Sequence, residues 1–206
     1  MEGQEYLNQI TESSKPVKKI GEKKSFFSSR FMIVGAIGLA ALLLIIILGS
    51  LLGGEKGGEK NLGTALILHI KNTSEEVQKY QPDVKSSELR SYSATLNGVL
   101  GDFEGRLTEY MVEKYGYKEN KVDKKFLEEA DAAKEELDSE LFEAKINGIL
   151  DRIFAHKMAY EITLIKNEEL KFKNATKSDL LKSEIDTSVS SLDEVYENFN
   201  NYSEAK

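Results

Sequence analysis

SSELRSYSATLNGVLGDFEGRLTEYMVEKYG, residues 86–116, sets the class of the fold. Leu89, Tyr92, Leu96, Leu100, Phe103, Leu107 and Tyr110 recur at spacings of three and four. That is the apolar stripe of an amphipathic α-helix. Ser86 or Ser87 is placed to cap its start, and Gly116 to end it.

The opposite face of this helix is unusual. Ala94, Gly98, Gly101 and Gly105 follow one another at spacings of four, three and four. A glycine in an exposed helix interior costs about 1 kcal/mol relative to alanine, so three of them need a reason. Three reasons are open: an interrupted helix, with Asn97–Gly98 as a turn; close packing by another helix of the same bundle; or a docking face for a partner helix.

The pattern extends on both sides. Leu62, Leu66, Ile70, Thr73, Val77 and Tyr80 form the stripe of a preceding helix that Pro82 stops. Asp123 is placed to cap a third segment, and Thr176 or Ser178 a last one carrying Leu181, Ile185, Leu192, Tyr196 and Phe199. Between them, residues 123–173 are too long for one helix beside such neighbours. Their stripe also changes phase, from Phe126, Ala130, Ala133 and Leu137 to Phe142, Ile146, Ile149, Ile153 and Tyr160. A kink or break is expected between Leu137 and Gly148. The expected fold is all-α: an antiparallel bundle of four or five helices over residues 64–206.

Ahead of the bundle lies FMIVGAIGLAALLLIIILGSLL, residues 31–52, without a charged residue. About 20 apolar residues span a hydrocarbon core of about 30 Å. The run is longer than a signal-peptide core and follows 30 residues, so a single N-terminal transmembrane helix is expected to act as an uncleaved signal-anchor. Residues 1–30 form a basic cytoplasmic tail with Lys18, Lys19, Lys23, Lys24 and Arg30 close to the span, where they can meet anionic lipid. The chain carries −7 in total, so with +2 on the tail the remainder carries −9. Residues 53–63, GGEKGGEKNLG, read as a flexible glycine-rich linker. Ala36 and Ala40 form a small-xxx-small pair within the span that suits self-association.

Chemistry-bearing patterns are sparse. The chain has no cysteine, which excludes disulfides, thiolate catalysis and cysteine-ligated metals. His69 and His156 lie in neither a Glu-x-x-His nor an HExxH frame, so no metal and no cofactor is expected; both read as surface or boundary residues. Glu128–Glu129, Glu135–Glu136 and Glu168–Glu169 read as solvated helix surface. The acidic main region argues against nucleic acid as a partner. The layout is similar to that of many bacterial envelope proteins, a likeness that carries no function by itself.

The sequence therefore points to a non-enzymatic, membrane-anchored protein. Its partners are the lipid bilayer and an envelope or surface protein, or a second copy of itself. The alternative is a small-molecule pocket between helices, lined by Tyr92, Tyr110, Tyr160 and Tyr196. Protease added to intact cells is expected to remove the region after residue 60 and to leave the basic tail; digestion of the tail instead would reverse the orientation.

Overall fold

The computed structural model describes residues 54–202. The expected anchor at 31–52 and the five basic residues of the tail lie outside them. Among the described residues there are five α-helices and no strand: α1 (Gly54–Tyr80), α2 (Ser87–Tyr115), α3 (Lys124–Ile146), α4 (Leu150–Ala175) and α5 (Asp179–Asn200). None of these helices is long and apolar enough to cross a membrane.

Local chemistry sets the ends. Pro82 sits in a short 3-10 turn that follows α1. Ser86 caps α2, its hydroxyl accepting from the Leu89 N–H. At the other end Gly116 turns left-handed at φ 63°, which L side chains rarely adopt. This lets the Tyr117 N–H bond back to the Met111 carbonyl and the Gly116 N–H to Val112. Asp123 and Ser178 cap α3 and α5 in the same manner. Asp151, in the first turn of α4, accepts from the N–H groups of Lys85 and Ser86 and so fastens the α1–α2 connection.

Side-chain pairs give the directions. Glu75–Lys134, Lys79–Asp138 and Asp83–Lys145 ascend together, so α1 and α3 run parallel. Lys166–Asp193 and Lys173–Asp186 descend against each other, so α4 and α5 are antiparallel. Tyr92–Phe199 and Arg106–Glu184 do the same for α2 and α5. Four helices form a ring in the order α1, α2, α5, α4, and α3 packs on α1 and α4. Inside the ring Leu66, Ile70, Leu96, Leu100, Phe154, Met158, Phe172, Ile185 and Phe199 are essentially sealed from solvent. Each such side chain contributes about 1.5–3 kcal/mol by leaving water.

The break expected between Leu137 and Gly148 does occur, at Asn147–Gly148, where Gly148 takes φ 72°; three other expectations need correction. Before it the stripe does not change phase: Leu137 continues to Leu141 and Ala144, which are buried, while Phe142 and Ile146 are 53% and 68% exposed. After it the inward face of α4 is Leu150, Phe154, Met158, Ile162 and Ile165, and Tyr160 points outward. The left-handed glycine resets the helical phase, which a stripe drawn across it misses. Third, the expected linker is helical from Gly54, and Glu59 and Gly63 within it are packing positions.

Gly63 is required by a close approach of helices. A Cβ there would sit 2.5 Å from the Met111 sulfur and 3.0 Å from the Phe172 ring. α1 therefore approaches α2 and α4 more closely than any side chain at this position permits. Gly63→Leu is expected to lower unfolding free energy by about 1–3 kcal/mol through overpacking, read by denaturant melts.

Candidate functional site

The glycine-bearing face of α2 is continuous. Helix geometry runs unbroken from Ser87 to Tyr115, so Asn97–Gly98 is not a turn. Ala94, Gly98, Gly101 and Gly105 are all exposed. A Cβ built at any of the three glycines would find no atom within 4 Å outside the backbone of its own helix. Among the described residues no other helix packs on this strip. Of the three reasons open for the glycines, the interruption and the internal packing are removed.

The strip is also symmetric. Gly98 and Gly101 lie equally far from the point between Val99 and Leu100, as do Ala94 and Gly105, and beyond them Arg90 and Glu109. All six are exposed, and Val112 extends the same face with 48% of its surface in solvent. The strip is smooth and apolar along its centre, with a cation near one end and an anion near the other.

The interior holds chemistry that local reading places on the surface. His69 of α1 lies between two carboxylates of α4: its Nδ1 is 2.9 Å from Glu168 Oε2 and its Nε2 is 2.8 Å from Glu161 Oε2. His69 and Glu161 each keep 13% of their side-chain surface and Glu168 keeps 6%. An ionised carboxylate only accepts hydrogen bonds, so two of them require both ring nitrogens to carry a proton. Burial alone would push the imidazole pKa down; Glu168 first and Glu161 with it outweigh burial and raise it to about 10. The arrangement is a buried imidazolium bridge.

Glu169, the next residue, faces α5. It is fully buried, and its Oε1 is 2.8 Å from the Ser188 hydroxyl. Toward the end of α1, Tyr80 donates to Asp138 of α3 at 2.6 Å. Beside it Glu76 is buried, and burial together with the negative Asp138 raises its carboxyl. Near the start of α1, Glu59 accepts from Lys114 at 2.8 Å and from the Tyr110 hydroxyl, which also meets Thr176. Burial pushes Glu59 up, but Lys114 and Tyr110 outweigh it and hold the carboxyl below its usual range.

Sequence spacing carried a signal for these residues. Leu62, Leu66, His69, Thr73, Glu76 and Tyr80 recur at four and three; so do Phe154, Met158, Ile162, Ile165, Glu169 and Phe172, and Leu181, Ile185, Ser188, Leu192, Val195 and Phe199. The polar members occupy core positions of apolar stripes. His69 is a half-buried boundary residue with both ring nitrogens engaged, whereas Glu168–Glu169 is not solvated surface.

The four tyrosines offered as pocket lining do not converge. Tyr92 and Tyr110 are 18 residues apart on α2, about 27 Å along its axis. Tyr92 stacks edge-on to Phe199, Tyr110 meets Phe172, Tyr196 lies under the Lys166 ammonium, and Tyr160 faces outward. Among the described residues no group of histidine and carboxylate side chains is arranged to hold a metal ion. No protein-family model matches the chain, and neither a curated protein nor a solved structure matches it.

His69→Leu leaves Glu161 and Glu168 buried without their cation, and a loss of about 3–5 kcal/mol is expected in denaturant melts. The pH profile gives a second readout. The folded pKa lies above the unfolded value of 6.5, so the bridge's stabilisation is full below about pH 6.5 and is lost as pH rises toward about 10. His69→Leu is expected to lack that part of the alkaline decline.

Proposed function

We propose that the chain is a single-pass membrane-anchored protein that presents its helical bundle outside the cytoplasmic membrane for binding or scaffolding, without catalysis. The uncharged run at 31–52 supports the anchor, and Lys18, Lys19, Lys23, Lys24 and Arg30 before it support a cytoplasmic tail lying on anionic lipid. The helix of the bundle nearest the anchor begins at Gly54, so the domain stands close to the bilayer and its partner is an envelope or surface protein at the same membrane.

One observation carries the binding reading. Ala94, Gly98, Gly101 and Gly105 line an exposed helix face on which nothing in the described bundle rests, at a cost in helix propensity that internal packing does not offset. Small side chains let the backbone of a second helix come near. The symmetry of the strip favours a second reading of who that partner is. In an antiparallel pair of copies, Gly98 meets Gly101, Ala94 meets Gly105 and Arg90 lies opposite Glu109, as a two-fold interface requires.

Gly101→Leu tests the reading without harming the fold, because the new side chain enters open space and replaces a poor helix former. Stability is expected to hold or to rise by up to about 1 kcal/mol. The yield of cross-linked complex from native membranes is expected to drop at least about tenfold, as a loss of about 1.4 kcal/mol produces. An undiminished complex would sink the assignment of this face. Sedimentation of the purified chain distinguishes a second copy from a different protein.

A further inference from the structure

We propose that Glu169 is a proton-operated latch between α4 and α5: the pair closes on the neutral acid and loosens when its proton leaves. Glu169 has no solvent exposure, and it occupies a core position one turn before Phe172. Its Oε1 meets the Ser188 hydroxyl, which sits at the matching core position of α5, and its Oε2 reaches no hydrogen-bond partner. One hydroxyl does not stabilise a buried anion, whereas a protonated carboxyl leaves only a weakly unsatisfied polar atom.

Among the described residues no ion pair joins a cation to Glu169. On α4, Lys166 and Lys173 flank Glu169 but are turned outward into pairs with Asp193 and Asp186 of α5. Glu168 adds negative charge, and on α1 its partner His69 is committed to the bridge with Glu161. α2 brings Arg106 to Glu184 of α5, and α3 meets α4 nearer its start, through Glu140 and Lys157. Burial is the main cause that raises the Glu169 pKa to about 8; the Ser188 bond and Lys166 oppose it, and Glu168 adds to it. The folded value lies above the unfolded one of 4.5. The stabilisation from this site is therefore full in acid and declines as pH rises from about 4.5 to about 8. Ionisation loosens the seam that encloses Phe172, Ile185 and Leu192.

Thermal melts of the full chain in detergent micelles, at about pH 6 and about pH 9, test this. The wild-type midpoint is expected to fall by several degrees between the two. Glu169→Gln, neutral at both, is expected to match wild type at the lower pH and to melt several degrees higher than it at the upper. His69 contributes its own decline to both proteins, so the difference between them isolates Glu169. An unchanged pH slope, or an equal loss at both pH values, would overturn the latch. If the glutamine variant does not fold, infrared spectra of the wild type decide. A buried protonated-carboxyl stretch at neutral pH that vanishes at about pH 9 supports the latch, and its absence at neutral pH overturns it.

Discussion

The imidazolium of His69, held between Glu161 and Glu168, closes the seam on which the bundle is organised. α1 and α4 each pack against three other helices, and this bridge lies between them. A purely apolar seam tolerates sliding, because one leucine contact is much like the next. A bridge with two fixed hydrogen bonds does not slide: displacing α1 by one residue would leave buried carboxylates without their cation. Buried polar groups are known to fix register in this manner at some expense of stability.

The same logic recurs at each end of α1. Glu59 ties it to Lys114 and Tyr110 of α2, and Tyr80 ties it to Asp138 of α3. Gly63 lets α1 come close enough for these contacts to form, by leaving room for Met111 and Phe172. α3 is held differently along its length. Its second half buries Leu137, Leu141 and Ala144, whereas its first half lies over α1 through the Asn72–Ala130 hydrogen bond and the Glu75–Lys134 pair. Exposed ion pairs contribute about 0–1 kcal/mol each, so the first half of α3 is held more weakly than its second.

Interior and exterior divide the polar and small residues oddly. Histidine, glutamate and serine occupy core positions, while alanine and glycine occupy a solvent face. The interior arrangement is accounted for by register and by protonation. The exterior arrangement has no internal account, since a glycine on an open helix face contributes neither packing nor propensity. A partner helix at that face would supply what the bundle does not, which is why binding is the function proposed for the surface of α2.

Helix class and helix ends were legible in the sequence because their causes are local. Pro82, Ser86, Gly116, Asp123 and Ser178 act on the backbone within a few residues of themselves. What tertiary structure decided were the matters whose causes lie on other helices. The phase of residues 138–146 followed from the seams of α1 and α4 on which α3 rests, so Leu141 and Ala144 went inward and Phe142 and Ile146 outward. Residues 54–63, written like a spacer, became helix because Lys114, Tyr110 and Met111 stand ready across the groove. His69, Glu168 and Glu169 already stood at core spacing, but a charged residue at such a position is surface until another helix brings it a partner. A carboxylate finds its counter-charge through space, and one helix's sequence does not contain it.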